Sequence, residues 1–220
     1  AGSAASRRRP AMRCLSRCCP WGLGGEGSAA EEETERVRLR ERGSGVRVFE
    51  GLDGDTVSGS GVVLGGAEVE QDAAYWEVRV VTLPEGGSCC MGVARQSVPL
   101  DAPLVAPARP DPEVLGAATD LAEAGAAPAS VSWALSSASA LLNEGDVVGV
   151  AFGQGELPNL RFFCNGEPLE RGSVAHVRGT VCPAFSVHGG AVLTVTFEHD
   201  GFRYTPPAKF TELIPMRSLL

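Results

Sequence analysis

From Val37 onward, apolar residues recur at every second position wherever a period can be measured. Val37 and Leu39 alternate with arginines, and Val46 and Val48 flank Arg47. Trp76, Val78 and Val80 alternate with Glu77, Arg79 and Val81; Leu193, Val195 and Phe197 alternate with Thr194 and Thr196. A period of two predicts strands with one face buried, and it places Trp76 on the buried face as a core anchor. The stretches Val147 to Phe152 and Val181 to Val187 are apolar on both faces, as in strands deep inside a sandwich. Gly and Pro punctuate these runs at short intervals, the pattern of an all-β sandwich or barrel.

The sharpest local signal is Leu160 to Leu169, where Asn165-Gly166 divides two strand-like runs. A two-residue turn of this kind needs positive φ at both central positions, which Asn and Gly tolerate best, so a hairpin is predicted. Gly189-Gly190 after His188 reads as a second tight turn. Val105 to Val131 breaks the pattern with proline and alanine and little strand propensity. It is expected to be a long surface insertion, with a helical turn near Asp120 to Ala124.

Composition sharpens this picture. Of 220 residues, 28 are Gly and 15 are Pro, about a fifth together, which favours turns and short elements. Residues 1–20 contain five arginines (Arg7, Arg8, Arg9, Arg13, Arg17) and no acid. The whole chain carries 19 basic and 27 acidic residues for a net −8, so the remainder is 14 − 27 = −13. An acidic body lacks the basic face that releases counterions from nucleic acid, which argues against that class of partner. The basic tail suits anionic lipid better.

Seven cysteines stand at 14, 18, 19, 89, 90, 164 and 182. Their odd number and irregular spacing make a poor disulfide framework, and no glycosylation sequon is present, so a reducing compartment is expected. Cys14, Cys18 and Cys19, beside Arg13 and Arg17, are lipidation candidates: acyl chains combined with basic charge are what stable anchoring takes. Zinc would need a fourth ligand that the tail does not offer nearby. An unmodified tail and a transit peptide over residues 1–25 are the alternatives, although Pro10 and Pro20 interrupt any amphipathic helix there. Because residue 1 is alanine, Met12 is an alternative start. The expected location is cytoplasmic, with peripheral membrane contact through the tail, or mitochondrial or plastid if a transit peptide is present.

Five motifs in order, Tyr75-Trp76-Glu77-Val78, Met91-Gly92-Val93-Ala94, Ser132-Trp133-Ala134-Leu135, Gly145-Asp146-Val147-Val148-Gly149-Val150 and Arg161-Phe162-Phe163-Cys164-Asn165-Gly166, resemble the SPRY domain family in sequence and spacing. The resemblance covers about Val37 to the C-terminus. It implies a bent antiparallel β-sandwich of the concanavalin-like kind, presenting loops at one end to a peptide or protein partner and having no chemistry of its own. The domain plan is a flexible tail over 1–35, a SPRY domain over 36–215 with its insertion at about 105–131, and an end at 216–220.

Individual candidates follow. The loops to examine are Gly51 to Ser58, Gly65 to Asp72, Ser97 to Val131 and Gly153 to Asn159, with Asp53, Asp55, Trp133, Gln154 and Glu156 as partner-binding candidates. Trp133 divides between core and binding rim. Asp53 and Asp55 could donate loop oxygens to calcium, but the EF-hand ladder is missing and a turn role is the default. No catalytic residue, metal or cofactor is assigned, because the three histidines (His176, His188, His199) lie at turns without a nucleophile elbow. A small-molecule or glycan-binding sandwich, with a polar concavity lined by Trp133 or Tyr75, is the alternative function, and a thiol-dependent enzyme is the third.

Overall fold

A computed structural model describes residues 36–104, 131–169 and 173–215. The tail, nearly all of the insertion and its expected helical turn lie outside the described residues. The elements, in chain order, are β1 (Leu39–Arg42), β2 (Val46–Phe49), β3 (Asp55–Gly59), β4 (Gly61–Gly65), β5 (Ala73–Thr82), β6 (Ser88–Ala94) and β7 (Ser132–Ser136). They continue with the one-turn helix α1 (Ser137–Ala140), β8 (Val147–Gly153), β9 (Asn159–Cys164), β10 (Glu167–Pro168), β11 (Val174–Ala175), β12 (Cys182–His188), β13 (Val192–Thr196) and β14 (Thr211–Glu212). The expected all-β architecture is present.

Two antiparallel sheets form the sandwich: β1-β4-β12-β6-β7, and β10-β9-β8-β5-β13-β3-β2 with β11 beside β9 and β14 beside β5. Both predicted turns occur. Asn165 and Gly166 have φ of 51° and 86° and close β9 onto β10, whereas Gly189 and Gly190, at 60° and 85°, make a turn that carries the chain from β12 in one sheet to β13 in the other and so forms no hairpin. The inward faces supply one core, in which Trp76, Val78 and Val80 of β5 meet Met91 and Val93 of β6 and Phe185 of β12. Trp76 is fully buried in that core, as its period predicts.

The runs that are apolar on both faces have a simple cause, because both sheets are covered on the outside as well. Over the five-stranded sheet, Val98, Leu100 and Leu104 pack with Val62, Leu64, Cys90, Ala94 and Ala184 in a second cluster. Cys89 and Cys90 therefore point to opposite faces, and both are buried.

The C-terminal segment covers the nine-stranded sheet, and here the alternation misleads. One-face burial would leave Glu77, opposite Trp76, to solvent, yet Glu77 is only 3% exposed. Its carboxylate accepts from the Arg203 amide at 2.7 Å, the Tyr204 amide at 3.0 Å and the Tyr75 hydroxyl at 3.1 Å. Phe202 meets Tyr75 edge to face at 5.1 Å, and Phe210 lies under the Arg161 guanidinium at 5.0 Å. Farther on, β14 pairs with β5 in parallel, Thr211 against Ala74 and Glu212 against Tyr75.

Candidate functional site

Pairing sets which loops share an end. The N-terminal end of β5 meets the C-terminal end of β8, since Ala73 opposes Gly153, and Gly153 in turn opposes Asn159 of β9. Segments 66–72, 154–158 and 176–181 therefore converge at one end of the sandwich. Backbone hydrogen bonds knit them together: Val69 donates to the Val181 carbonyl, Gln154 to that of Asp72, and Val177 to that of Pro158. The Gln154 side chain adds a hydrogen bond to the Val69 carbonyl. Together the loops enclose an open cleft of about 530 Å³, lined by Val69, Glu70, Gln154, Pro158, Gly179 and Thr180 among others.

One arginine ties in the far wall. The Arg95 guanidinium donates twice to the Arg178 carbonyl, at 2.9 and 3.1 Å, while lying 5.8 Å from the Trp133 ring centroid. Arg95 also donates its amide to Val131, where the chain returns from the insertion. Gly179 has φ of 82°, a left-handed conformation favourable to glycine, and Arg95 Nε stands 3.4 Å from where a side chain would begin.

The candidates named from the sequence divide. Gln154 and Glu156 belong to this loop end, Gln154 as a tie between loops and Glu156 exposed beside the exposed Leu157. Asp53 is exposed on a separate turn, lining a cleft of about 140 Å³ with Leu52, Thr196 and Asp200. Two expectations need correction. Asp55 is 2% exposed, its oxygens accepting from the Arg38 guanidinium at 2.8 Å and the Leu39 amide at 3.0 Å, so it fastens β1 to β3. Trp133 is 6% exposed and packs in the core, with Arg95 over its ring, so it forms no binding rim. The second half of the segment Gly51 to Ser58 is strand, because β3 begins at Asp55.

Sequence reasoning passed over 176–181 as a wall of the cleft. The available hint was Arg178-Gly179, a glycine in a short stretch between two strands. Among the described residues, no group of three His, Cys, Asp or Glu side chains is placed to hold a metal ion. Ser60 Oγ and His188 Nδ1 share a hydrogen bond at 2.6 Å on an exposed turn, with no carboxylate bonded to that ring among the described residues.

The thiols are muted. Burial pushes the Cys89 and Cys182 thiols up to about 11 from the ordinary 9.0, and it raises those of Cys90 and Cys164 as well. Thiolate is the nucleophile, so none of the four is activated near neutral pH. Iodoacetamide labelling followed by peptide mapping is expected to leave all four unmodified below pH 8 in the native protein, and to label them once it is unfolded. A fast native reaction at any of them would contradict this. The same shifts carry a sign for stability: the folded state holds these protons longer, so their contribution is intact below pH 9 and declines as pH rises through about 11.

With the geometry in hand, comparison with known proteins settles the family. A family model of the SPRY domain matches residues 73–200, more than half of the chain. The chain belongs to the SPRY domain family. It is similar to SPRY domain-containing protein 7 of Homo sapiens, at 29% identity over 207 residues, covering 91% of this chain and 94% of the relative. The Gallus gallus protein of the same name is 28% identical over 197 residues, covering 87% and 90%. Among solved structures, the SPRY domain of human HERC1 superposes with a TM-score of 0.43 at 15% identity, covering 69% of this chain and 94% of that one.

Proposed function

We propose that this SPRY domain is a noncatalytic protein-interaction module whose cleft between 66–72, 154–158 and 176–181 receives a peptide or protein partner. SPRY domains commonly mediate protein–protein interaction. The observation that carries the proposal is the construction of the loop end: three loops, fixed to one another through their backbones, hold open a cleft, and Glu156 and Leu157 are exposed in the short stretch between its lining residues Gln154 and Pro158. Backbone ties leave the outward side chains free to specify a ligand on a rigid support. The glycan alternative called for a polar concavity lined by Trp133 or Tyr75, and both rings are buried, Tyr75 against Phe202.

The test is the triple variant Glu156→Ala, Leu157→Ser, Thr180→Ala, compared with wild type by proximity labelling in cells. These side chains contribute little to the core, so thermal stability should fall by no more than about 2 °C. A subset of neighbours should be lost at least tenfold. An unchanged set of neighbours with an intact fold would overturn the proposal. Tethering through Cys14, Cys18 and Cys19 complements this module, supported by the neighbouring arginines and by the cost of anchoring on one acyl chain alone.

A further inference from the structure

The nine-stranded sheet ends in β2, which pairs with β3 in unbroken register from Val46 opposite Gly59 to Phe49 opposite Thr56. Proteins usually blunt such an edge with bulges, prolines, clustered charge or extreme shortness, because its open backbone groups recruit other strands. Two of the other edges show these devices. β1 carries a register shift between Leu39 and Arg42 together with Arg40, Glu41 and Arg42, and β10 is two residues ending in Pro168. β7 has neither shift, proline nor charge, but its Trp133, Ala134 and Leu135 are all buried, so it presents no exposed apolar side chain. β2 has no shift and no proline, and Arg47 is its one charge.

Its side chains are also unusual for a free surface. Val46 is buried and Val48 packs against the core, while Arg47 and Phe49 face outward, Phe49 at 60% exposure. Just beyond the strand, Leu52 is 94% exposed. These are among the large apolar side chains exposed among the described residues, and they cluster at this edge.

We infer that β2 is the dimer edge of this protein, pairing antiparallel with β2 of a second copy to make one continuous sheet. The sequence of the strand is self-complementary in the register whose two-fold axis passes through Val48. Residues opposite one another then sum to 96, so Arg47 stands across from Phe49 of the second copy, twice by symmetry. Facing residues in an antiparallel pair share a side of the sheet, and Arg47 and Phe49 share the outer one. Each guanidinium then lies against an aromatic ring, and no like charges are placed opposite. Leu52 is brought toward the Gly43 to Gly45 turn of the second copy. The surface shares no residue with the loop cleft, so the inference stands apart from the function proposed above.

Sedimentation velocity of the full chain over a concentration series tests it. Wild type should show a monomer–dimer equilibrium. Phe49→Lys places lysine opposite arginine and should weaken association about tenfold, since two symmetric pairs change together. The double variant Arg47→Glu, Phe49→Lys restores opposite charges and should recover most of that loss. All these side chains are exposed, so the variants keep the fold. A wild type that stays monomeric throughout would overturn the inference, as would equal association of wild type, single and double variants.

Discussion

Replacing Glu77 by alanine is expected to destabilise the domain by about 3–4 kcal/mol and to free the C-terminal segment from the sheet. Three donors converge on this one carboxylate, two of them backbone amides of the covering segment. Hydrogen bonds to a charged acceptor contribute roughly 1.5–3 kcal/mol each, but both amides can turn to water once the segment lifts, so the sum is not additive. The cost that remains includes the apolar face uncovered with it, since Phe202 leaves Tyr75 and Phe210 leaves Arg161. Set against a typical total of 5–15 kcal/mol, this is a large fraction. Glu77→Gln should cost less, because one oxygen still accepts while the new amide faces a donor. Tyr75→Phe removes a single hydroxyl and should cost about 1 kcal/mol. Urea denaturation gives the order alanine, glutamine, phenylalanine. Hydrogen exchange should show the Arg203 and Tyr204 amides losing protection first in the Glu77 variants. Retained protection with only a global loss would mean that the segment is held by its aromatic contacts alone.

That carboxylate also marks where sequence stops predicting structure. Period two reports which side of a strand differs from the other. It does not report whether another part of the chain returns to cover the polar side. Glu77 and its two amide donors are more than a hundred positions apart, and Asp55 is held by Arg38 and Leu39 at the start of β1. Neither contact has a local signature. Turn chemistry is local, which is why Asn165-Gly166 and Gly189-Gly190 could be placed from two residues each. The same division holds at the loop end. Gln154 and Glu156 were legible as loop residues between two runs, whereas the wall from 176–181 depends on Arg95, just past the end of the neighbouring strand β6, reaching Arg178. Trp133 was ambiguous because a short strand beside an insertion gives too few alternations to fix its face, and the register with Val93 settles it inward.

Gly92 offers a comparable effect by the opposite route, addition in place of removal. In β6, Gly92 pairs with Ala134 of β7, and a methyl group on it would collide with the Trp133 carbonyl oxygen and stand 2.7 Å from the Ala134 Cα. Both obstacles are backbone, so no side-chain rotation relieves the clash. Moving β7 outward would disturb the register from Cys90–Ser136 to Ala94–Ser132 and the seat of Trp133 in the core. Alanine does restrict the unfolded chain more than glycine, a gain of roughly 0.5–1 kcal/mol within a strand. Overpacking against fixed backbone costs about 3 kcal/mol or more, so destabilisation wins. Gly155→Ala is the matched control, because nothing lies within 4 Å of the added methyl group there. Gly92→Ala should lower the urea midpoint steeply, while Gly155→Ala should stay within about 0.5 kcal/mol of wild type. If Gly92→Ala proved as stable as the control, β6 and β7 would have to sit farther apart than this pairing allows. The return from the insertion at Val131, fixed through Arg95, would then lose its anchor as well.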